Sequence, residues 1–325
     1  MKNPFDGYYS VLKGMPLYFR VFIGIAILLM GFSVMGFLGV SIASLVTGQP
    51  IASFSHPENV SGTNGIAAGF KIIQFFLDIG IFVIPALLLP VILFATNPVS
   101  FMGMNKRSAF ILFVIAICLA LCIQPIVDFS TRINQHIVFP HFLSGLENYI
   151  KDQEVKNEAL MMQFLNMPHL IDFIVNIFIV AIMPAVVEEL FFRGFVQKVL
   201  QIWLKRSHLA VFIAAFIFSF IHFEFYGFIP RLLLGMLMGY AYLWSGDIKL
   251  PIIIHFTNNF LDLGLSYYLQ LQGKAPEPDN TSTQPSILLY IGSAIFMVVL
   301  LYLFKTRALP NNAMAYESNK NEYEP

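Results

Sequence analysis

The chain has 325 residues, of which 57% are hydrophobic and only 12% are charged, and its 19 Lys/Arg residues balance 19 Asp/Glu residues. Because soluble globular domains carry about 25% charged residues, this composition excludes an ordinary soluble protein and predicts a polytopic membrane protein. The lack of a Lys/Arg-rich run excludes a nucleic-acid-binding surface. The two cysteines, Cys118 and Cys122, are too few for a cysteine-rich zinc site.

Eight apolar segments have roughly the 20 residues that a helix needs to cross a bilayer. In chain order they are 19–46, 66–95, 109–127, 169–194, 208–225, 228–245, 251–270 and 286–304. The first of them is much longer than the about 7–15 apolar residues of a signal peptide, so it is interpreted as a retained span. The predicted fold class is therefore all-α, a polytopic membrane helix bundle with about eight transmembrane helices.

The segments outside these spans divide the chain. A polar stretch at 128–168 mixes charged and apolar residues at helical spacing, which predicts an amphipathic extramembrane helix between the third and fourth spans. The Pro/Ser/Thr-rich segment 273–286 is predicted to be a loop. The expected regions are 1–168, membrane helices and amphipathic segment without an assigned role; 169–270, a catalytic helix core; 271–308, loop and last span; and 309–325, a disordered cytoplasmic tail.

The placement of Lys and Arg predicts the orientation. With the N-terminus inside, twelve of these residues fall in cytoplasmic segments, and four fall outside, namely Arg132, Lys151, Lys156 and Lys274. Cytoplasmic loops are enriched in Lys and Arg, so both termini are expected in the cytoplasm. The expected location is a bacterial inner membrane, with the protein as a multi-pass component.

Ionisable residues inside the predicted spans mark the expected functional site. A charge at the bilayer centre costs about 2.5–3.5 kcal/mol on insertion scales, so such residues face the bundle interior and commonly serve function. Most of them lie between positions 188 and 262. The candidates are Asp78, Asp172, Glu188, Glu189, Arg193, His222, Glu224, Arg231, His255 and Asp262.

The fourth span carries an acidic pair after a proline. Pro184 is expected to kink the helix and loosen its backbone hydrogen bonds. Glu189 and Arg193 are four residues apart and share a face, so they are expected to form a structural pair. Glu188 is rotated by about 100° from Glu189, and it is the candidate general base.

The fifth and seventh spans carry histidines at helical spacing. Phe218 and His222 are four residues apart, as are His255 and Asn259, and Asp262 continues the second stripe. Imidazole and amide groups can hold a metal or stabilise an oxyanion. The alternative is that these residues only form polar contacts between helices. For Asp262 and Asn258 this structural role and a functional role are equally favoured. Glu224 is expected at the membrane interface.

Three motifs in this order resemble a known family. They are Glu188-Glu189-Leu-Phe-Phe-Arg193, Phe218-Ser-Phe-Ile-His222 and His255-Phe-Thr-Asn-Asn259. They resemble the motifs of the CPBP family, the CAAX protease and bacteriocin-processing (Abi) intramembrane proteases, over roughly residues 170–270. The resemblance implies that Glu188 and His222 activate a water, that His255 and Asn259 stabilise the oxyanion, and that Glu189 and Arg193 support the site.

The same resemblance implies two versions of the chemistry, metallo- and glutamate-type. In one, zinc is held by Glu188, His222 and His255; in the other no metal takes part. The metal-free version is preferred, because asparagine is a poor zinc ligand and a good amide donor for an oxyanion.

The predicted function is an intramembrane endopeptidase with its site near the cytoplasmic side. Its expected partners are membrane lipid and a peptide or membrane-tethered protein substrate. One alternative is a proton-coupled transporter that uses Glu188, Glu189 and Asp262 as a relay, although no internal repeat is found. Another is a non-catalytic scaffold or immunity protein that retains the fold.

Overall fold

The computed structural model describes residues 17–54, 65–137, 139–274 and 286–322, with side chains from 18 to 309 within these ranges. These ranges contain nine long helices, short helical turns and connections, and no strand. The all-α fold class is confirmed. The long helices are α1 (Leu17–Thr47), α2 (Ile66–Phe94), α3 (Phe110–Gln135), α4 (Ser144–Leu165), α5 (Leu170–Leu204), α6 (Ser207–Phe220), α7 (Phe228–Ser245), α8 (Lys249–Leu271) and α9 (Ile287–Glu322).

Helices are present at all eight positions where spans are predicted. In the described part of the chain, five of them are long and apolar enough to cross a membrane: α1, α2, α3, α5 and α9. Helix α6 is apolar but shorter. The polytopic helical bundle is therefore confirmed, while the number of eight spans stays a prediction.

Several helix ends differ from the expected ones. Helix α3 continues to Gln135, into the predicted polar stretch, and α4 is the helix expected within that stretch. Helix α6 ends at Phe220, so His222 lies in the turn that follows it and not inside a span ending at 225. Phe223 explains this end, because its φ of 52° is left-handed and cannot continue a right-handed helix.

The C-terminal helix is longer than predicted. Helix α9 runs to Glu322, so the expectation of a disordered tail from Leu309 is not met over 309–322. Most of the predicted loop at 273–286 lies outside the described residues.

The chain forms two compact units, each discontinuous in sequence. The first comprises residues 1–101, 155–191 and 259–279, and the second comprises 102–154, 192–258 and 280–325. The regional boundaries predicted from the sequence, at 168, 270 and 308, remain predictions.

In the first unit, α1 and α2 approach closely at glycines. A Cβ on Gly31 would overlap the carbonyl oxygen of Gly80. The helices touch backbone to backbone there, as small residues permit in membrane bundles. Gly80 lies in a π-helical turn, Ile79–Val83, directly after the buried Asp78.

In the second unit, α7 lies against α6 through Gly235 and Gly239. A Cβ on Gly235 would lie 3.1 Å from Cβ of Ala215, and one on Gly239 would lie 2.8 Å from Cγ1 of Val211. The sequence Gly-Met-Leu-Met-Gly thus acts as a small-xxx-small contact, which brings α7 close to the helix that ends just before His222.

Candidate active site

The acidic pair lies in a helix interrupted on both sides. In α5, π-helical turns cover Ile177–Ile182 and Phe192–Gln197, and the α-helical piece Met183–Phe191 between them carries Glu188 and Glu189. Only 9% of Glu188 and none of Glu189 is exposed. Single π-turns occur frequently at functional sites, and here two of them flank the predicted general base.

Glu188 has a carboxylate neighbour in the first unit. Asp78 of α2 is buried and interacts electrostatically with Glu188. Its Oδ1 accepts a hydrogen bond of 2.8 Å from Nε2 of Gln74. Asp78 is among the ionisable candidates of the sequence, and the structure gives it a place beside the acidic pair.

Asn259 also belongs to the first unit. Its Nδ2 donates a hydrogen bond of 3.3 Å to the carbonyl oxygen of Val180, in the π-turn of α5. Pro184, four residues later, has no N–H and cannot donate to that carbonyl. Asn259, the last residue of the third motif, therefore binds the helix at the place where Pro184 is expected to loosen its backbone hydrogen bonds.

In the second unit, three of the predicted residues meet at one ring. The guanidinium carbon of Arg193 lies 4.6 Å from the ring centroid of Phe218. The imidazoles of His222 and His255 have ring centroids 5.1 Å and 6.0 Å from it, both at steep angles. Phe218, the first residue of the second motif, is buried. Its ring contacts one residue from each of the three motifs: Arg193, His222 and His255.

The hydrogen bond of His222 fixes its tautomer. Its Nδ1 lies 2.7 Å from the carbonyl oxygen of Phe218. A carbonyl only accepts, so Nδ1 carries the hydrogen, and Nε2 of the neutral ring keeps a lone pair. His222 is thereby equipped to accept a proton or a hydrogen bond through Nε2.

Arg193 is almost fully buried and binds backbone as well as the Phe218 ring. Its Nη2 donates to the carbonyl oxygen of Gly235 at 3.0 Å. One helical turn later, Nε2 of Gln197 donates to the carbonyl oxygen of Gly239, also at 3.0 Å. These parallel bonds support the structural role expected of Arg193, and its pairing with Glu189 stays a prediction.

Gln197 lies outside the three motifs. The sequence could have indicated it through its spacing, because it lies four residues after Arg193 in an apolar stretch. Gly235 and Gly239, whose carbonyl oxygens accept from Arg193 and Gln197, are also four residues apart.

Three other ionisable candidates, Glu224, Arg231 and Asp172, have structural partners. Glu224 forms an ion pair with Arg231. Asp172 caps the start of α5, accepting from the N–H of His169 at 3.0 Å. Asp262 is exposed. The neighbouring amide Asn258 accepts a hydrogen bond of 2.9 Å from Gln124, which agrees with the polar contact between helices considered for it.

A protein-bound zinc needs three or more donor side chains close together. Among the residues that the structure describes, no group of three or more His, Cys, Asp or Glu side chains is placed to hold a metal ion. The possible zinc ligand set Glu188, His222 and His255 has members in both units and stays a prediction.

Comparison with known proteins bears on the same segment. Residues 170–261 match the family model described as Type II CAAX prenyl endopeptidase Rce1-like. No curated protein and no solved structure matches the chain. The match spans all three motifs and confirms the resemblance to the CPBP/CAAX proteases: over residues 170–261, this chain is similar to the Rce1-like type II CAAX prenyl endopeptidases.

Proposed function

We propose that the protein is an intramembrane endopeptidase that hydrolyses a peptide bond in a membrane-associated peptide or protein. The proposal rests on the burial, hydrogen bonding and packing of the motif residues within the matched segment 170–261. Glu188 is buried, His222 has its Nε2 lone pair set by the bond to Phe218, and His255 packs on the same phenyl ring as His222. Ionisable residues that are buried inside a bundle of membrane helices commonly belong to functional sites.

The proposed reaction needs only these side chains and water. Glu188 accepts one proton of the water, and Nε2 of His222 accepts a hydrogen bond from the other. The water oxygen bonds to the carbonyl carbon of the scissile amide, and the electron pair of the C=O double bond moves to the oxygen. His255 and Asn259 donate hydrogen bonds to this oxyanion. When the C–N bond breaks, the protonated Glu188 gives its proton to the leaving nitrogen, which yields a carboxylic acid and an amine.

Zinc does not enter these steps. The proposal assigns the activation of water to Glu188 and His222 alone, because asparagine is a poor zinc ligand and a good amide donor for an oxyanion. Glu189 and Arg193 support the site, and Arg193 does so through Phe218 and Gly235.

The substrate class follows from the surroundings of the motifs. Helix α5, which carries the acidic pair, is one of the helices apolar enough to cross a membrane. A substrate must therefore reach the pair from the bilayer or its surface, as a membrane-embedded segment or a tethered tail does. The predicted orientation, which assigns twelve Lys and Arg residues to cytoplasmic segments and four to outside segments, supports a site near the cytoplasmic face.

The test compares cleavage by wild-type protein and by Glu188→Gln. Both are purified in nanodiscs and given a library of quenched fluorescent peptides, with and without a lipid tether. The amide is nearly isosteric but cannot accept a proton, so a loss of about 10²–10⁴ in rate is expected. Glu158→Gln, which changes an exposed glutamate of α4, is the matched control and should cleave as wild type. Equal turnover by wild type and Glu188→Gln would remove Glu188 from the mechanism.

A further inference from the structure

The connection between α6 and α7, residues 221–227, holds His222 in an unusual backbone. His222 lies in its first turn, and Phe223 follows with a φ of 52° and 76% of its surface exposed. A bulky residue with positive φ is a conformational outlier that persists only when its surroundings fix it. The residues that fix the connection therefore bear directly on where His222 sits.

Asn134, near the end of α3, binds both the connection and the first turn of α7. Only 1% of this residue is exposed. Its Nδ2 donates to the carbonyl oxygen of Phe225 at 2.6 Å, and its Oδ1 accepts from the N–H of Ile229 at 3.4 Å. Helix α7 begins after Gly227, which has no side chain to cap the first N–H groups. Asn134 supplies that cap from another helix.

Glu154 of α4 binds the same connection. Its Oε1 accepts a hydrogen bond of 2.8 Å from the N–H of Tyr226. A carboxylate at this place also interacts favourably with the positive end of the α7 dipole. The ring of Phe139, between α3 and α4, lies 4.8 Å from that of Phe225. Three residues of the segment 134–154 thus contact the connection at Phe225 and Tyr226, and one of them also contacts the first turn of α7 at Ile229.

An ion pair also links the connection to the first turn of α7. Glu224 pairs with Arg231 in the first turn of α7, and a Cβ on Gly227 would lie 2.7 Å from Nη2 of Arg231. Arg231 in turn interacts electrostatically with His222. A shift of the connection would therefore move both the backbone of His222 and a cation near its ring.

We propose that Asn134 and Glu154 are positioning residues for His222. They hold the 221–227 connection, and through it they set the distance and direction of the imidazole that the proposed reaction uses. The inference rests on the proposed function for its catalytic consequence. It gives a task to the segment between the third and fourth predicted spans, which lies outside the family match at 170–261.

The first measurement is proteolysis by Asn134→Ala, Glu154→Ala and Glu154→Gln in full-length protein. The two alanine variants should lose between about tenfold and 10²-fold in kcat, because misplacing a reacting group by an ångström has effects of this size. Their KM should change little. Glu154→Gln keeps an oxygen acceptor for the N–H of Tyr226, so it should retain most of the activity.

The matched control is Tyr290→Phe. Tyr290 donates a hydrogen bond of 2.6 Å to Asp128, which lies in α3 as Asn134 does, so the variant removes a comparable polar contact without touching the connection. Its kcat should equal that of wild type. Alanine variants that keep the wild-type kcat, or a control that loses as much as they do, would overturn the proposal.

The second measurement does not depend on activity. Amide hydrogen exchange of the peptide covering 221–229 should be faster in both alanine variants and unchanged in Glu154→Gln and Tyr290→Phe. Unchanged exchange in the alanine variants overturns the proposal, even if the enzyme is active. Faster exchange in a protein whose wild type cleaves nothing would instead reject the proposed function and leave the connection's dependence on Asn134 and Glu154 in place.

Discussion

The side chain of Asn259 donates a hydrogen bond of 3.3 Å from Nδ2 to the carbonyl oxygen of Val180, the residue four positions before Pro184. In an unbroken α-helix the N–H of residue 184 would serve this carbonyl, and proline has none. Asn259 therefore offers one amide hydrogen to the interrupted helix of the acidic pair. An amide nitrogen carries two hydrogens, so the second can serve the oxyanion of the proposed reaction.

These two tasks of Asn259 can be separated by a double-variant cycle with Pro184. Asn259→Ala should lower kcat by about 10²–10³ through the lost oxyanion donor, with little change in KM. It should also lower the free energy of unfolding by about 1 kcal/mol through the lost bond to Val180. Adding Pro184→Ala restores a backbone N–H, so the double variant should recover stability and not kcat. Recovery of both in the double variant would leave Asn259 with the supporting task alone.

Arg193→Ala should reduce the amount of folded protein more than it reduces the activity of each folded molecule. The change removes the bond to Gly235 and the contact with Phe218. If Glu189 is its partner as predicted, a buried charge is also left uncompensated, which costs about 3–5 kcal/mol. The measurements are the folded fraction on size-exclusion chromatography and kcat per folded molecule. A variant as stable as wild type yet inactive would instead place Arg193 in catalysis.

Gly239→Ala should destabilise the second unit by about 1–3 kcal/mol, as overpacking does. The added Cβ would lie 2.8 Å from Cγ1 of Val211 and 3.0 Å from Oε1 of Gln197. The thermal midpoint in detergent measures the effect, and adding Val211→Ala should restore part of it. Gly264→Ala is the control, because a Cβ there meets nothing within 4 Å and alanine favours the helix by about 1 kcal/mol. Equal midpoints for Gly239→Ala and Gly264→Ala would contradict the close approach of α6 and α7.

Chelation and metal analysis test the preference for metal-free chemistry. Activity should survive prolonged treatment with a chelator, and purified active protein should hold no stoichiometric zinc. If zinc were held by Glu188, His222 and His255, chelation would abolish activity and added zinc would restore it. About one zinc per chain, absent from both His222→Ala and His255→Ala, would reverse the preference.

The helical membrane architecture and the three motifs could be predicted from the sequence alone. Apolar stretches long enough to span a bilayer stand out against a chain with 12% charged residues, because the cost of burying charge in lipid leaves a pattern in composition. The motifs containing Glu188, His222 and His255 are equally local, since each needs only a spacing of four residues on one helix. Helices were found at every predicted span position for the same reason.

The tertiary structure decided what depends on residues far apart in the chain. Asn134 binds the carbonyl of a residue 91 positions away, and Arg193 binds one 42 positions away. No spacing rule reaches across such distances, because they are set by how helices pack and not by the period of one helix. The end of α6 just before His222 was also beyond local pattern, since the left-handed Phe223 is stabilised by contacts that the connection makes with α3 and α4. Hydropathy reports only the burial of a side chain, whereas the proton-accepting state of Nε2 on His222 follows from a hydrogen bond that only the folded backbone defines.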